Sequence, residues 1–282
     1  MTISQKRAAL KLETAFSLLG CRTDFFGDWL SESIPKYVAA TLSRRLPPVP
    51  ILIDAAMPKT HRQALELMLA AQVDIIEVPA FETVQVKRLW SASSIGYMPF
   101  HQKFTERFKW DYLVGSPELG RLVLDEMRRR ADVALGSLQG PSRVFLARKA
   151  FRHRKLTNRA EIEAIAEAHG FAIAFPEELP FVEQVRLLRN ARFVVAPEGS
   201  ALFLCSFHGP GAKICILNHR NTEGLVLYNE GTEDGELTII TGPPAEPQHG
   251  SPQDVDYTIE SDVFRRFLEG WLPAPAPRRK SS

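Results

Sequence analysis

The sequence predicts an α/β protein whose sheets are parallel and fall into two halves. Three observations carry this reading. Short runs rich in Val, Ile and Leu alternate with longer amphipathic stretches, the order that builds strand–helix–strand units and parallel sheets. The alternation breaks once, at SLQGPS (137–142), and then resumes. The 282 residues suit one large domain or two smaller ones, and 45% hydrophobic with 24% charged residues is the balance of a globular chain able to bury a core. Thirty-five Lys and Arg against 33 Asp and Glu leave a net charge of +2, too even for nonspecific nucleic-acid binding.

The elements follow in order. DWLSESIPKYVAATLSR (28–44) has helical spacing interrupted at Pro35. VPILID (49–54) is a strand, and PKTHRQALELMLAAQ (58–72) a helix opened by Pro58, where a missing donor costs little. VDIIEV (73–78) and VQVKRLW (84–90) are strands, SIGYMPFHQKF (94–104) is loop-like, and SPELGRLVLDEMRRRADVAL (116–135) is a long helix. The Gly-Pro-Ser break divides a first domain, 1–138, from a second, 139–272. Beyond it come strand RVFLAR, helix TNRAEIEAIAEAHG, strand FAIAF, helix LPFVEQVRLLRNA, strand RFVVA, short helix GSALFLCSF and strand KICIL. Thr157 or Asn158 is placed to cap the first of these helices, with Glu161 just inside it. LTIITG (237–242) is a late strand, 243–256 a loop, SDVFRRFLEGWL (261–272) a final helix, and PAPAPRRKSS (273–282) a disordered tail.

Three cysteines, Cys21, Cys205 and Cys215, show neither metal spacing nor a disulfide framework, which fits a reducing compartment. The N-terminus lacks the apolar core of a signal peptide, and no run reaches the ~18 apolar residues of a membrane span. The expected location is the cytoplasm, with peripheral contact to the inner face of the membrane open to the basic PRRK of the tail.

Chemistry concentrates at strand ends, where open α/β sheets bind ligands. RVFLAR ends at Arg148, followed by Lys149, Arg152, His153, Arg154 and Lys155. Such a cluster suits a phosphate or diphosphate, although a solvated basic loop is the commoner reading of a charge run taken alone. Two strands later PEGSA (197–201) brings Gly199, where backbone can approach a ligand, and Ser200 and Ala201, whose N–H groups open a helix and favour an anion. Glu198 would repel a phosphate and fits better as an acceptor for a ribose or sugar hydroxyl. Glu183 and Gln184 lie on the helix FVEQVRLL, where a solvated face is the plain reading. In the first half Asp28 and Glu32 stand four apart on one helix face, as a general base or as a cap and a surface charge. None of the seven histidines forms HxxxH or HExxH, so nothing points to metal catalysis.

GDWLSESIP (27–35), LARKAFRHRKLTN (146–158), FVEQVRLLRNARFVVAPEGSAL (181–202) and FHGPGAKICIL (207–217), in that order, resemble glycosyltransferase family 61. The resemblance implies a GT-B-like fold of two facing Rossmann-like domains. It implies inverting, metal-independent transfer from a nucleotide-sugar, with no other cofactor, to a glycan or lipid-linked glycan, as in making a surface or capsular polysaccharide. The donor would sit on the second domain and the acceptor on the first. Arg148, with Lys149 and Arg154, would meet the diphosphate, and Gly199, Ser200 and Ala201 would give it backbone donors. Glu183, Gln184 and Asn158 would lie near the nucleoside or its loop, Glu198 near a hydroxyl, and Asp28 or Glu32 would be the base. The family usually has His where this chain has Asp28 and again where it has Glu198, and the chain begins close to the first motif. A non-catalytic relative that binds a nucleotide-sugar or glycan is the second reading, and an unrelated α/β phosphate-binding enzyme the third.

Overall fold

The computed structural model describes residues 10–97, 114–136, 140–149, 154–219, 236–245 and 255–273. Expectations for Arg152, His153, most of the 94–104 loop and the tail lie outside the described residues. In chain order the elements are strand β1 (Leu10–Ser17), helices α1 (Phe26–Asp28) and α2 (Ile34–Leu42), β2 (Ile51–Asp54), α3 (Lys59–Leu67), β3 (Ile75–Val78), β4 (Val84–Trp90), the short pair β5 (Gly96–Tyr97) and β6 (Val114–Gly115), and α4 (Pro117–Leu135). There follow β7 (Arg143–Leu146), α5 (Arg159–Ala168), β8 (Ala172–Ala174), α6 (Phe181–Asn190), β9 (Phe193–Pro197), β10 (Lys213–His219), β11 (Glu236–Gly242) and α7 (Ser261–Trp271).

Beside the antiparallel β5–β6 pair, two larger sheets form, both parallel throughout. The first runs β3-β2-β1-β4 and the second β11-β10-β9-β7-β8. These are the parallel sheets expected of a GT-B-like α/β protein. In the second sheet the chain steps outward from β7 to β8, then jumps back over β7 to lay down β9, β10 and β11. The strand order therefore reverses between β7 and β9, which makes their carboxyl ends the switch point where open sheets leave a crevice.

Several local expectations are corrected. The interruption at Pro35 is a π turn, Trp29–Ser33, that joins α1 to α2. Proline lacks an N–H and crowds the carbonyl four residues back, and an extra residue in the preceding turn relieves both. Asp28 does not cap this helix; Phe25 holds that position and Asp28 sits in the first turn. The helix opened by Pro58 ends at Leu67, earlier than expected. Asn158 holds the N-cap position of α5 but its side chain makes no cap bond. Ser200–Phe207 forms a 3-10 helix rather than an α-helix. Elsewhere Ser116 caps α4 by accepting from the Leu119 N–H (3.3 Å).

One hydrophobic core joins the two sheets. It takes Phe16, Ile51 and Ile53 from the first, Val144, Val194 and Ile214 from the second, and between them Trp29, Met127, Phe181 and Phe207. Phe181 stacks edge-on against Phe26 (6.3 Å) and Phe207 (5.8 Å). A second core lies on the far face of the second sheet, where α5 and α7 supply Ile162, Phe264 and Leu268. Polar bonds also cross between the halves. Gln63 Oε1 accepts from the Phe181 N–H (3.0 Å), Arg128 Nε donates to the Ser206 carbonyl (2.8 Å), and Arg189 pairs with Asp132 (2.5 Å). Among the described residues no helix is long and apolar enough to cross a membrane.

Candidate functional site

The end of β7 and the end of β9 meet through Arg148 and Gly199. A Cβ placed on Gly199 would stand 3.2 Å from Arg148 Nη1 and 3.5 Å from its Cζ. The backbone there is extended (φ 160°), so any residue could adopt it. Glycine leaves space: its bare Cα lets the guanidinium lie against the turn, where a Cβ would make it shift by a few tenths of an ångström. Burial, then the neighbouring Arg154, lowers the Arg148 pKa from its usual value, and Glu198 opposes them.

Glu198 is not an isolated carboxylate. Arg154 Nη1 donates to both of its oxygens at 3.1 Å, with side-chain exposures of 25% for Arg154 and 15% for Glu198. This pair answers the oddity of a glutamate in a basic cluster, because Arg154 offsets its charge. Two guanidinium groups against one carboxylate leave the cluster one positive charge. Arg154 has a positive φ (57°), uncommon for a side-chain-bearing residue.

A cavity of about 320 Å³ opens at this end of the sheet, lined by Arg148, Lys149, Arg154, Lys155 and Arg159, with Pro197 among its walls. Arg159 is braced there, donating to the Arg148 carbonyl (2.7 Å) and lying 5.7 Å over the Phe175 ring. Lys149 pairs with Glu178 (2.5 Å), and its N–H donates to Glu177 (3.2 Å). A larger groove of about 650 Å³ lies by α3 and α4, but its Glu126, Arg129 and Arg130 pair with one another.

The first-half motif reaches the 3-10 helix that follows Gly199. A Cβ on Gly27 would lie 2.8 Å from Phe203 Cε2 and 3.5 Å from Ser200 Oγ. Thus Gly27, one residue before Asp28, packs on the 3-10 helix that begins at Ser200, whose side chain is exposed while Ala201 is half-buried. Asp28 is ion-paired with Arg22, whose guanidinium also stacks on Phe25 at 4.3 Å. Glu32 lies half-buried in the π turn.

Other expected site residues hold structure nearby. Asn158 donates to the Ile259 carbonyl (2.8 Å) and accepts from its N–H (3.3 Å), tying the 255–259 segment to the start of α5. Gln184 is buried and donates to the Pro176 and Leu179 carbonyls (2.8 and 2.9 Å), bracing the loop before α6. Glu183 pairs with Arg186 one turn on.

Sequence reading missed Tyr257, His219 and Asn218. Tyr257 is fully buried and donates to the Leu217 carbonyl (2.8 Å); burial, reinforced by Glu198, pushes its pKa up. His219 is buried beside it, ring centroids 6.3 Å apart, and burial lowers its pKa. The signal for the latter two was an Asn-His dipeptide ending a buried strand, one step beyond the apolar run KICIL.

Two parallel sheets, a shared interlobe core and a basic crevice at the switch point of the second sheet define the class: a GT-B-like α/β protein. A family model for glycosyltransferase 61 matches residues 26–215, well over half of the chain. The protein belongs to that family and is a glycosyltransferase. The match runs from the first residue of α1 to the middle of β10, taking in Gly27, Arg148 and Gly199. A comparison with curated proteins finds no match.

Proposed function

We propose that this glycosyltransferase is an inverting enzyme that takes its sugar from a nucleotide-sugar and passes it to a glycan or polysaccharide acceptor. The observation that carries the reading is the seat of Arg148 against Gly199 at the switch point. The diphosphate lies there, drawn by the net positive charge of Arg148, Arg154 and Glu198 and by the N–H groups of Ser200 and Ala201. The acceptor hydroxyl attacks the anomeric carbon from the opposite face, supplied by the first half. Its O–H proton passes to the Asp28 carboxylate, which Arg22 orients. The bond from the anomeric carbon to the diphosphate oxygen breaks, and the nucleoside diphosphate leaves with the electron pair. Fixed charge aimed at the leaving group is the main catalytic contribution. The reaction needs no metal in this scheme.

A panel of nucleoside diphosphates tests the donor site by thermal stabilisation. Ligand at 100 times its Kd raises stability by about 2.7 kcal/mol, and Arg148→Ala abolishes the effect. No stabilisation by any member refutes the proposal. Transfer rates of Asp28→Asn and Glu32→Gln then assign the base: a rate untouched by the first moves the role to Glu32. The second reading, a relative that binds the donor without turnover, is favoured by one observation. Both carboxylates standing where the family has histidine, Asp28 and Glu198, are engaged in ion pairs. Stabilisation without hydrolysis or transfer for any donor and acceptor supports it.

A further inference from the structure

Beside Glu198, at the carboxyl end of the adjacent strand, stands a polar side chain with an unused donor. Asn218 is 1% exposed. Its Oδ1 accepts from the His219 N–H (2.8 Å), while its Nδ2 has no hydrogen-bond partner among the described residues. A buried amide donor left unused is rare in folded chains and calls for a cause. The register gives its place. Leu217 is paired with Pro197, and the Glu198 N–H donates to the Leu217 carbonyl (2.9 Å), so Asn218 and Glu198 are the next pair across the ladder. Side chains alternate between faces. Ile214 and Ile216 on β10, and Val194 and Ala196 on β9, all face the interlobe core. Asn218 continues the β10 row and so belongs to the face turned toward the first half, while Glu198 follows the last residue of β9 beside it.

We infer that Asn218 is a further ligand-binding residue and that, with Glu198, it reads two adjacent hydroxyls of a sugar ring. The inference rests on the donor-site reading above. A carboxylate accepts from one hydroxyl while the amide N–H donates to the oxygen of its neighbour; a phosphate would satisfy the amide but brings no donor to the carboxylate. Within a nucleotide-sugar such a diol occurs in the ribose and in the transferred sugar.

The test measures affinities by calorimetry for wild type and Asn218→Leu, with Asn218→Ser as a second, smaller variant should the first fail to fold. The probes are inorganic pyrophosphate, ribonucleoside diphosphates, their 2′-deoxy forms and the matching nucleotide-sugars. Pyrophosphate carries no hydroxyl and binds wild type and variants alike. If the ribose is read, wild type loses about 10-fold on 2′-deoxy substitution, one neutral hydrogen bond's worth, and the variants lose nothing further. If the transferred sugar is read, the gain of nucleotide-sugar over nucleoside diphosphate disappears in the variants instead. Asn218→Leu also removes the Oδ1 acceptor of the buried His219 N–H, so it melts lower than wild type; unchanged pyrophosphate binding is what separates ligand reading from a damaged scaffold. Variants that bind every hydroxyl-bearing probe as wild type does overturn the inference while leaving the donor site standing. Failure of wild type to bind pyrophosphate or any nucleotide overturns both.

Discussion

Replacing Glu198 with Gln removes one negative charge and keeps the shape. In the folded protein Glu198 meets Arg154 through two contacts of 3.1 Å, with both side chains less than a third exposed. Breaking a fully buried pair costs about 3–5 kcal/mol, and an exposed one about 0–1 kcal/mol. This pair lies between, so a loss of about 2 kcal/mol is expected. For a chain of this size that lowers Tm by about 4 °C. The cause is specific: Arg148 and Arg154 are left as two half-buried cations with no carboxylate between them. An added anion should therefore repay the loss. Pyrophosphate at 100 times its Kd returns about 2.7 kcal/mol, and the variant should bind it more tightly than wild type, because the competing carboxylate is gone. Removing both charges, in Glu198→Gln with Arg154→Gln, should restore much of the stability without any anion, since no uncompensated pair of cations remains. The assay is thermal melting in phosphate-free buffer, with and without pyrophosphate. Equal stability of Glu198→Gln and wild type without the anion, together with equal gains on adding it, would falsify the electrostatic account of the site.

Three further outcomes follow from the packing and the titrating groups. Gly27→Ala drives a methyl to within 2.8 Å of the Phe203 ring; overpacking costs about 1–3 kcal/mol, partly offset by better helix propensity, so a net loss of about 1–2 kcal/mol should appear in urea unfolding. Hydrogen bonds from Arg129 and Arg130 hold Glu126 down to about 2. Its folded pKa is below the unfolded value of about 4.3, so its contribution is complete above that pH and is lost as pH falls towards 2; urea midpoints of Glu126→Gln should decline less over that window than those of wild type. Burial pushes the Cys205 thiol up to about 12 and raises that of Cys215 as well, whereas Cys21 is exposed. Native protein should thus react with a thiol reagent at Cys21 alone by mass spectrometry, and at all three cysteines after denaturation.

The parts of the fold that were legible in the sequence are those governed by neighbours along the chain. The runs VQVKRLW and LTIITG became β4 and β11 because apolar and β-branched residues recur within a few positions. The central strand of the first sheet was missed, although it pairs on both sides, with β2 and β4. Its sequence, LKLETAFS, alternates Leu10, Leu12, Thr14 and Phe16 with charged or small residues, a period of two that was there to be counted. Lys11 and Glu13 hid it by lowering the mean apolarity. The π turn before Pro35 was legible only as an interruption, because proline says that a regular bond is missing and not how the chain absorbs the loss.

The candidate site divides along the same line. Arg148 and Gly199 could be named from local chemistry, a cationic strand end and a glycine-bearing turn. Their contact could not, because it depends on strand order. In chain order β8 comes between β7 and β9, so a sheet laid down in sequence would hold the two ends apart by a full strand. The chain instead places β8 on the outer edge and returns across β7, and that reversal makes β7 and β9 neighbours. The same step brings Glu198 within reach of Arg154, 44 residues earlier in the chain, and so converts an apparent defect of an anion site into a neutralised pair. It also puts β10 next in line, which is why Asn218 stands beside Glu198. Charge in this site follows topology: shifting β8 to the inside would leave every residue in place along the chain and take apart the cluster of Arg148, Arg154 and Glu198.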